Sequence, residues 1–202
     1  RNNMLKASLV LCVFFACVMM CFAKKAPQAP IWPKVWSANF TQTSPGFMVG
    51  SWWYDYNAVR QRTDRISGKY DSQHCKSLDT QCVTLVDDKF TWVYWPELKK
   101  CCTLCSVSDG CGIIKYDWLK DAVFQGYEKK NGYDCNKWFL QGNQKNYFWQ
   151  TRSSVPYQAF VEMDAVEPGD FMMGFNVPSF NTKPIAPGIF DLPSYCSSAT
   201  SC

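Results

Sequence analysis

The chain has 202 residues, of which 47% are hydrophobic and 16% aromatic, with a formal net charge of +4 at pH 7. That length suffices for one domain with a core of its own. A near-balanced charge without a basic run excludes nucleic acid and anionic membrane as main partners.

The first segment reads as a leader. "MLKASLVLCVFFACVMMCFA" starts at Met4 with one lysine, runs apolar and ends in small residues before Lys24. This is the layout of a secretory signal peptide cleaved after Ala23, with residues 1–3 upstream of the initiator. The competing reading is a retained anchor, for which the apolar run from Ala7 to Ala23 is at the short limit. The leader places the protein outside the cell or in an endomembrane lumen, where disulfides form. "NFT" at Asn39 is then an N-glycosylation sequon.

Residues 24–34 are Pro-rich and read as an extended arm; residues 35–202 read as a single β domain. "VWSANFTQT" alternates Trp36, Ala38 and Phe40 against Ser37, Asn39 and Thr41, so a solvated Asn39 turns Trp36 and Phe40 inward. After an "SPG" turn, "FMVGSWWYDYN" puts Trp52, Tyr54 and Tyr56 on one face and Trp53 and Asp55 on the other. "AVRQRTDRI" is an antiparallel neighbour with one wet face carrying Arg60, Arg62 and Asp64. A loop holding Cys75 and Cys82 leads to "KFTWVYW", a strand stopped at Pro96. "KKCCTLCSVSDGCG" follows, and "IIKYDWLKDA" reads as a short helix with Ile114, Trp118 and Leu119 near one face.

The second half repeats a hairpin grammar. "AVFQGYE", "YDCNKWFL", "YFWQT", "YQAFVEMDAV" and "FMMGFNV" are strands punctuated by "KKNG", "QGNQKN", "RSSVP" and "EPGD". The tail from Pro178 is irregular and pinned by Cys196. The chain is therefore expected to be all-β with minor α content, its antiparallel sheet strongly curved, because flat aromatic strands would aggregate.

The segment from Trp36 to Cys75, with its aromatic, Tyr-Asp and Arg-containing strands, resembles the opening meander of ependymin-like secreted proteins. The ending, with Phe190, Pro193 and Cys196, resembles theirs too, and the middle hairpins look like bacterial lipoprotein carriers of the LolA type. The resemblance implies a half-open β-barrel around an apolar pocket holding lipid or another hydrophobic ligand. The "CCTLC…C" insert departs from that pattern.

Enzyme chemistry finds little support. The one histidine, His74, adjoins Cys75 in a polar loop, and no phosphate loop, "HExxH" or nucleophile elbow occurs. No catalytic residue, metal or cofactor is assigned; calcium on the Asp-rich loops lacks an EF-hand ligand series. A binding role fits better, with Trp52, Tyr54, Trp92, Tyr94, Phe124, Trp149, Phe171, Met173 and Phe175 as candidate pocket residues. The bland alternative is that these rings fill a core. The partner expected is a hydrophobic small molecule or lipid, with self-association in a surface assembly as the alternative and an unrecognised hydrolase as the third reading.

Beyond the leader lie Cys75, Cys82, Cys101, Cys102, Cys105, Cys111, Cys135, Cys196 and Cys202, an odd number. Disulfides are the main expectation, over the first eight. Cys75–Cys82 and Cys105–Cys111 are read as local loops. Cys101 and Cys102, on opposite sides of an extended backbone, should take different partners, with Cys135 and Cys196 as candidates. The fate of Cys202 is left open.

Overall fold

A computed structural model describes residues 26–153, 158–166, 171–186, 188–197 and 199–202. The leader over 1–23, and the turns expected around 154–157 and 167–170, lie outside the described residues. Within them, 12 strands form one sheet. The first half is a meander of β1 (Val35–Ser44), β2 (Met48–Asp55), β3 (Arg60–Arg65), β4 (Cys82–Val86), β5 (Phe90–Trp95) and β6 (Lys100–Ser106). The second is a meander of β7 (Val123–Lys130), β8 (Tyr133–Gln141), β9 (Lys145–Thr151), β10 (Phe160–Val166) and β11 (Phe171–Phe175). β1 pairs antiparallel with β11 and welds the halves, and the short β12 (Thr200–Ser201) adds parallel to β6.

The sheet order is β12-β6-β5-β4-β3-β2-β1-β11-β10-β9-β8-β7, so β6 and β7 lie near opposite ends although consecutive in sequence. Residues 107–122 must bridge them. Curvature makes this possible. The Trp32 ring lies 6.0 Å from Trp52 on β2 and 6.4 Å from Phe148 on β9. Those strands are four steps apart, roughly 19 Å on a flat sheet at about 4.8 Å per step. One indole reaches both because the sheet curls around it. Register shifts at Gln42/Ser44, Thr91/Trp92, Phe124/Gly126 and Phe160/Glu162 supply the bends. The sheet stays open, with β7 and β12 as its two edges.

Local chemistry explains the hairpins. Asn131 (φ 50°) and Gly132 (φ 85°) make the two-residue β7–β8 turn that "NG" demands. Gly50 is required on β2, since a Cβ there would collide with the Phe40 ring and the Asp64 carbonyl.

Two elements differ from expectation. Residues 116–121 form turns rather than a short helix, with bonds such as Trp118 N–H to Lys115 O and Lys120 N–H to Asp117 O. Packing of Leu119 onto the concave face replaces helical continuity there. β4 and β6 go beyond the sequence reading, which left residues 83–86 unassigned and took 99–112 as a cysteine cluster. Both are continuous or cysteine-dense runs without clean alternation, because β4 is buried on both sides.

Candidate functional site

The concave face is built by strand alternation. β1 points Trp36, Ala38 and Phe40 inward, and β2 adds Trp52 and Tyr54. From the second half come Trp138 on β8, Phe148 on β9, Phe160 on β10, and Met173 and Phe175 on β11. No second sheet covers this surface among the described residues. Irregular segments do so instead: the arm inserts Trp32, residues 113–122 lay down Ile114, Trp118 and Leu119, and Phe180 closes a corner. Trp32, at 2% exposure, is fully buried like the strand residues around it. Its ring meets Trp36, Trp52, Tyr54 and Trp118 edge-on at 5.3–6.0 Å and lies tilted over Phe160 at 5.0 Å.

Of the nine candidate pocket residues, six gather here. Trp52, Tyr54, Met173 and Phe175 are core members, and Phe124 and Phe171 pack against them half-buried. The other three face the opposite way. Trp92 and Tyr94 pack with Val83, Leu85 and Cys196 under the C-terminal tail. Trp149 packs with Cys135 and Val161 on the convex side of the second half. Register decides this: Trp149 lies across from Lys137, one position out of step with the inward Trp138–Phe148 pair. Sequence reasoning also missed Trp32, reading its segment only as a Pro-rich extended arm. The available signal was a large aromatic, in "IWP", inside a segment otherwise fit for solvent.

The polar groups of this face include the buried amides of Gln42, Asn136 and Gln150, the Tyr54 hydroxyl and the indole N–H groups. Tyr54 donates its hydroxyl to the Ile114 carbonyl at 2.7 Å, and burial pushes its pKa well above the usual phenol value. The buried indole N–H groups of Trp32, Trp36, Trp52, Trp118 and Trp138 have no hydrogen-bond partner. On the ring residues of this cluster the unpartnered buried polar atoms are all donors, while Gln61, across from Tyr54 on the same face, leaves its Oε1 acceptor unpartnered.

Ionic chemistry sits elsewhere. Arg65 on β3 pairs with Asp71 at 3.1 Å and Asp71 accepts from His74, so the lone histidine clamps the 66–81 loop beside the Cys75–Cys82 disulfide. Burial opposes the charge on Asp71, but the His74 hydrogen bond and the Arg65 guanidinium hold its pKa well below the carboxylate range. On the convex face, Lys130 bridges Glu162 and Asp164, and Asn131 donates to Glu162 at 2.8 Å. Burial and the Glu162 carboxylate raise Asp164 to about 7. Among the described residues, no group of three or more His, Cys, Asp or Glu is arranged to hold a metal. Two shallow clefts of about 380 and 460 Å³ open at Val59, Arg60 and Phe190, and at Lys76, Lys99 and Tyr195, away from the aromatic face.

The cysteines staple the first half. Cys75–Cys82 and Cys105–Cys111 close local loops, and Cys101 and Cys102 diverge to Cys196 and Cys202. Cys135 is the correction: it is a buried free thiol, and Cys202 takes the place expected for it. The reason is topological, since Cys135 lies on β8 and the pair on β6, near opposite ends of the sheet. Asn39 is exposed on β1, where its side chain accepts from Ser51.

No protein-family model and no curated protein matches this chain. Among solved structures, it is similar to an uncharacterized conserved protein from Thermus thermophilus. The two share 10% identity with a TM-score of 0.55, over 83% of this chain and 90% of that one. At that identity the likeness establishes a shared fold and nothing more. The disulfides fit an oxidising compartment, and no helix among the described residues is long and apolar enough to cross a membrane.

Proposed function

We propose that this protein binds a hydrophobic small molecule, such as a lipid, in the concave aromatic face of its open sheet, outside the cell or in an endomembrane lumen. One observation carries the reading. Six strands present a contiguous aromatic surface whose cover is irregular chain, with buried indole donors left unpartnered. A face built only for stability would be better served by a second regular layer and by apolar rings without N–H groups, since each buried unpartnered donor costs about 1–3 kcal/mol. Signal cleavage, a glycan on Asn39 and kinship with ependymin-like half-barrels belong to the same proposal, and no catalytic role is assigned.

Gentle purification followed by native mass spectrometry tests it. Co-purifying lipid, or uptake of a fatty acid, sterol or phospholipid by the delipidated protein, is the expected result. Failure to take up any of the three would sink the reading.

The alternative, a structural or adhesive component, draws on the free edge strand β7, which exposes Val123 (57%) and Tyr127 (52%). Concentration-dependent polymerisation on a sizing column would favour it.

A further inference from the structure

Among the described residues, Trp32 is the one fully buried ring of the concave cluster delivered by chain without regular structure. Its arm carries Pro27, Pro30 and Pro33, which have no amide hydrogen to donate. Two backbone hydrogen bonds hold it, Trp32 N–H to Tyr116 O at 2.8 Å and Tyr56 N–H to Lys34 O at 2.7 Å. The neighbouring Ile31 is 62% exposed. The ring itself sits in a slot of defined shape. Trp36, Trp52, Tyr54 and Trp118 stand at 84–89° to it, and Phe148 and Phe160 lie beneath it at 40° and 33°. Four rings wall a flat guest and two floor it.

The chemistry of the slot is as particular as its shape. The indoles of Trp36, Trp52 and Trp118 border it with their N–H groups unpartnered, and the guest indole, itself a donor only, satisfies none of them. Trp32 also leaves its own N–H unpartnered. The buried charged residues among those described are Arg65, Glu162 and Asp164, and each already has an opposite charge at hand. An anion in the slot would lose its hydration without gaining a counter-charge.

We propose that Trp32 occupies the ligand slot as an internal competitor, displaced by an uncharged, flat-ringed molecule that carries a hydrogen-bond acceptor such as a carbonyl. This rests on the reading of the concave face as a binding site and names the class of molecule it takes. The ligand keeps the ring contacts that Trp32 makes and adds acceptance from an indole donor. One such bond, worth about 1.4 kcal/mol, is about tenfold in affinity.

The test uses three probes of one size on the purified protein: 2-acetylnaphthalene, 2-ethylnaphthalene and 2-naphthoate. Affinity is measured by calorimetry, and arm release by the rate of tryptic cleavage after Lys34. The ketone is expected to bind about tenfold tighter than the hydrocarbon and the carboxylate, and to accelerate cleavage at Lys34. Trp32→Ala should tighten ketone binding further. Trp32→Phe, which keeps most of the packing, should fall between the two and guards against a folding failure of the alanine variant. Equal affinity for ketone and hydrocarbon overturns the inference, as does binding that leaves Lys34 protected and unaffected by either variant. In both cases the hydrophobic-binding reading survives. If no probe and no lipid binds wild type or variants, that reading fails as well.

Discussion

Asp164 shows how position on the sheet sets a side chain's chemistry. Burial and the neighbouring Glu162 carboxylate outweigh the opposing fields of Lys130 and Lys137, so the Asp164 proton is retained to about pH 7 against 3.8 in an ordinary environment. A raised folded-state pKa means that stability is fully present below about pH 4 and is lost as pH rises from there through 7. Asp164→Asn removes this dependence. The variant should be more stable than wild type by about 1–2 kcal/mol at pH 8, a value discounted from the full shift for partial solvent access. The two should converge near pH 4; urea melts across pH 4–8 read the difference, and parallel curves would refute the assignment. Val59 is a second residue at odds with its site. It is 45% exposed with φ at 52°, a left-handed conformation unfavourable for a β-branched side chain. Val59→Asn, which accepts that conformation, should raise stability by about 0.5–1 kcal/mol in the same assay.

Among the elements, the tail and the 66–81 loop cover the first half of the sheet from opposite sides, the loop fastened by one disulfide and the tail by two. Cys101–Cys196 spans 95 residues and Cys105–Cys111 spans 6. By loop-closure entropy the longer bridge should contribute about 2 kcal/mol more than the shorter. Paired Cys→Ser variants compared by chemical denaturation check the order: Cys101/Cys196 should lose more than Cys105/Cys111. Equal losses would show that local packing, not chain entropy, governs both.

At the scale of the molecule, one curved sheet divides its interior into an aromatic concave side and a convex side of smaller clusters. Cys135 lies within the latter, fully buried and donating to the Tyr133 carbonyl, with burial pushing its thiol pKa up. A chain spanning residues 26–202 should therefore show no thiol reactive with Ellman's reagent when folded and one after denaturation. A native reactive thiol, or three after denaturation, would contradict the pairing. The free β7 edge keeps Lys129 and Lys130 and a bend at Gly126 (φ 119°), devices that discourage pairing between copies.

Sequence alone determined the β class, most strand positions, the inward turn of Trp36, Phe40, Trp52 and Tyr54, and the divergence of Cys101 and Cys102. These follow from the two-residue period of a strand and from turn chemistry, both local. It did not determine which face each second-half strand shows to the cup, because one bulge such as Phe160/Glu162 shifts the period and hairpin patterns look alike on either side. Nor did it place Cys135 beyond reach of β6, which is a matter of sheet order. Above all, Trp32 read as part of an extended Pro-rich arm. Only the curl of the sheet, which brings β2 and β9 within reach of one indole, gives that arm somewhere to go.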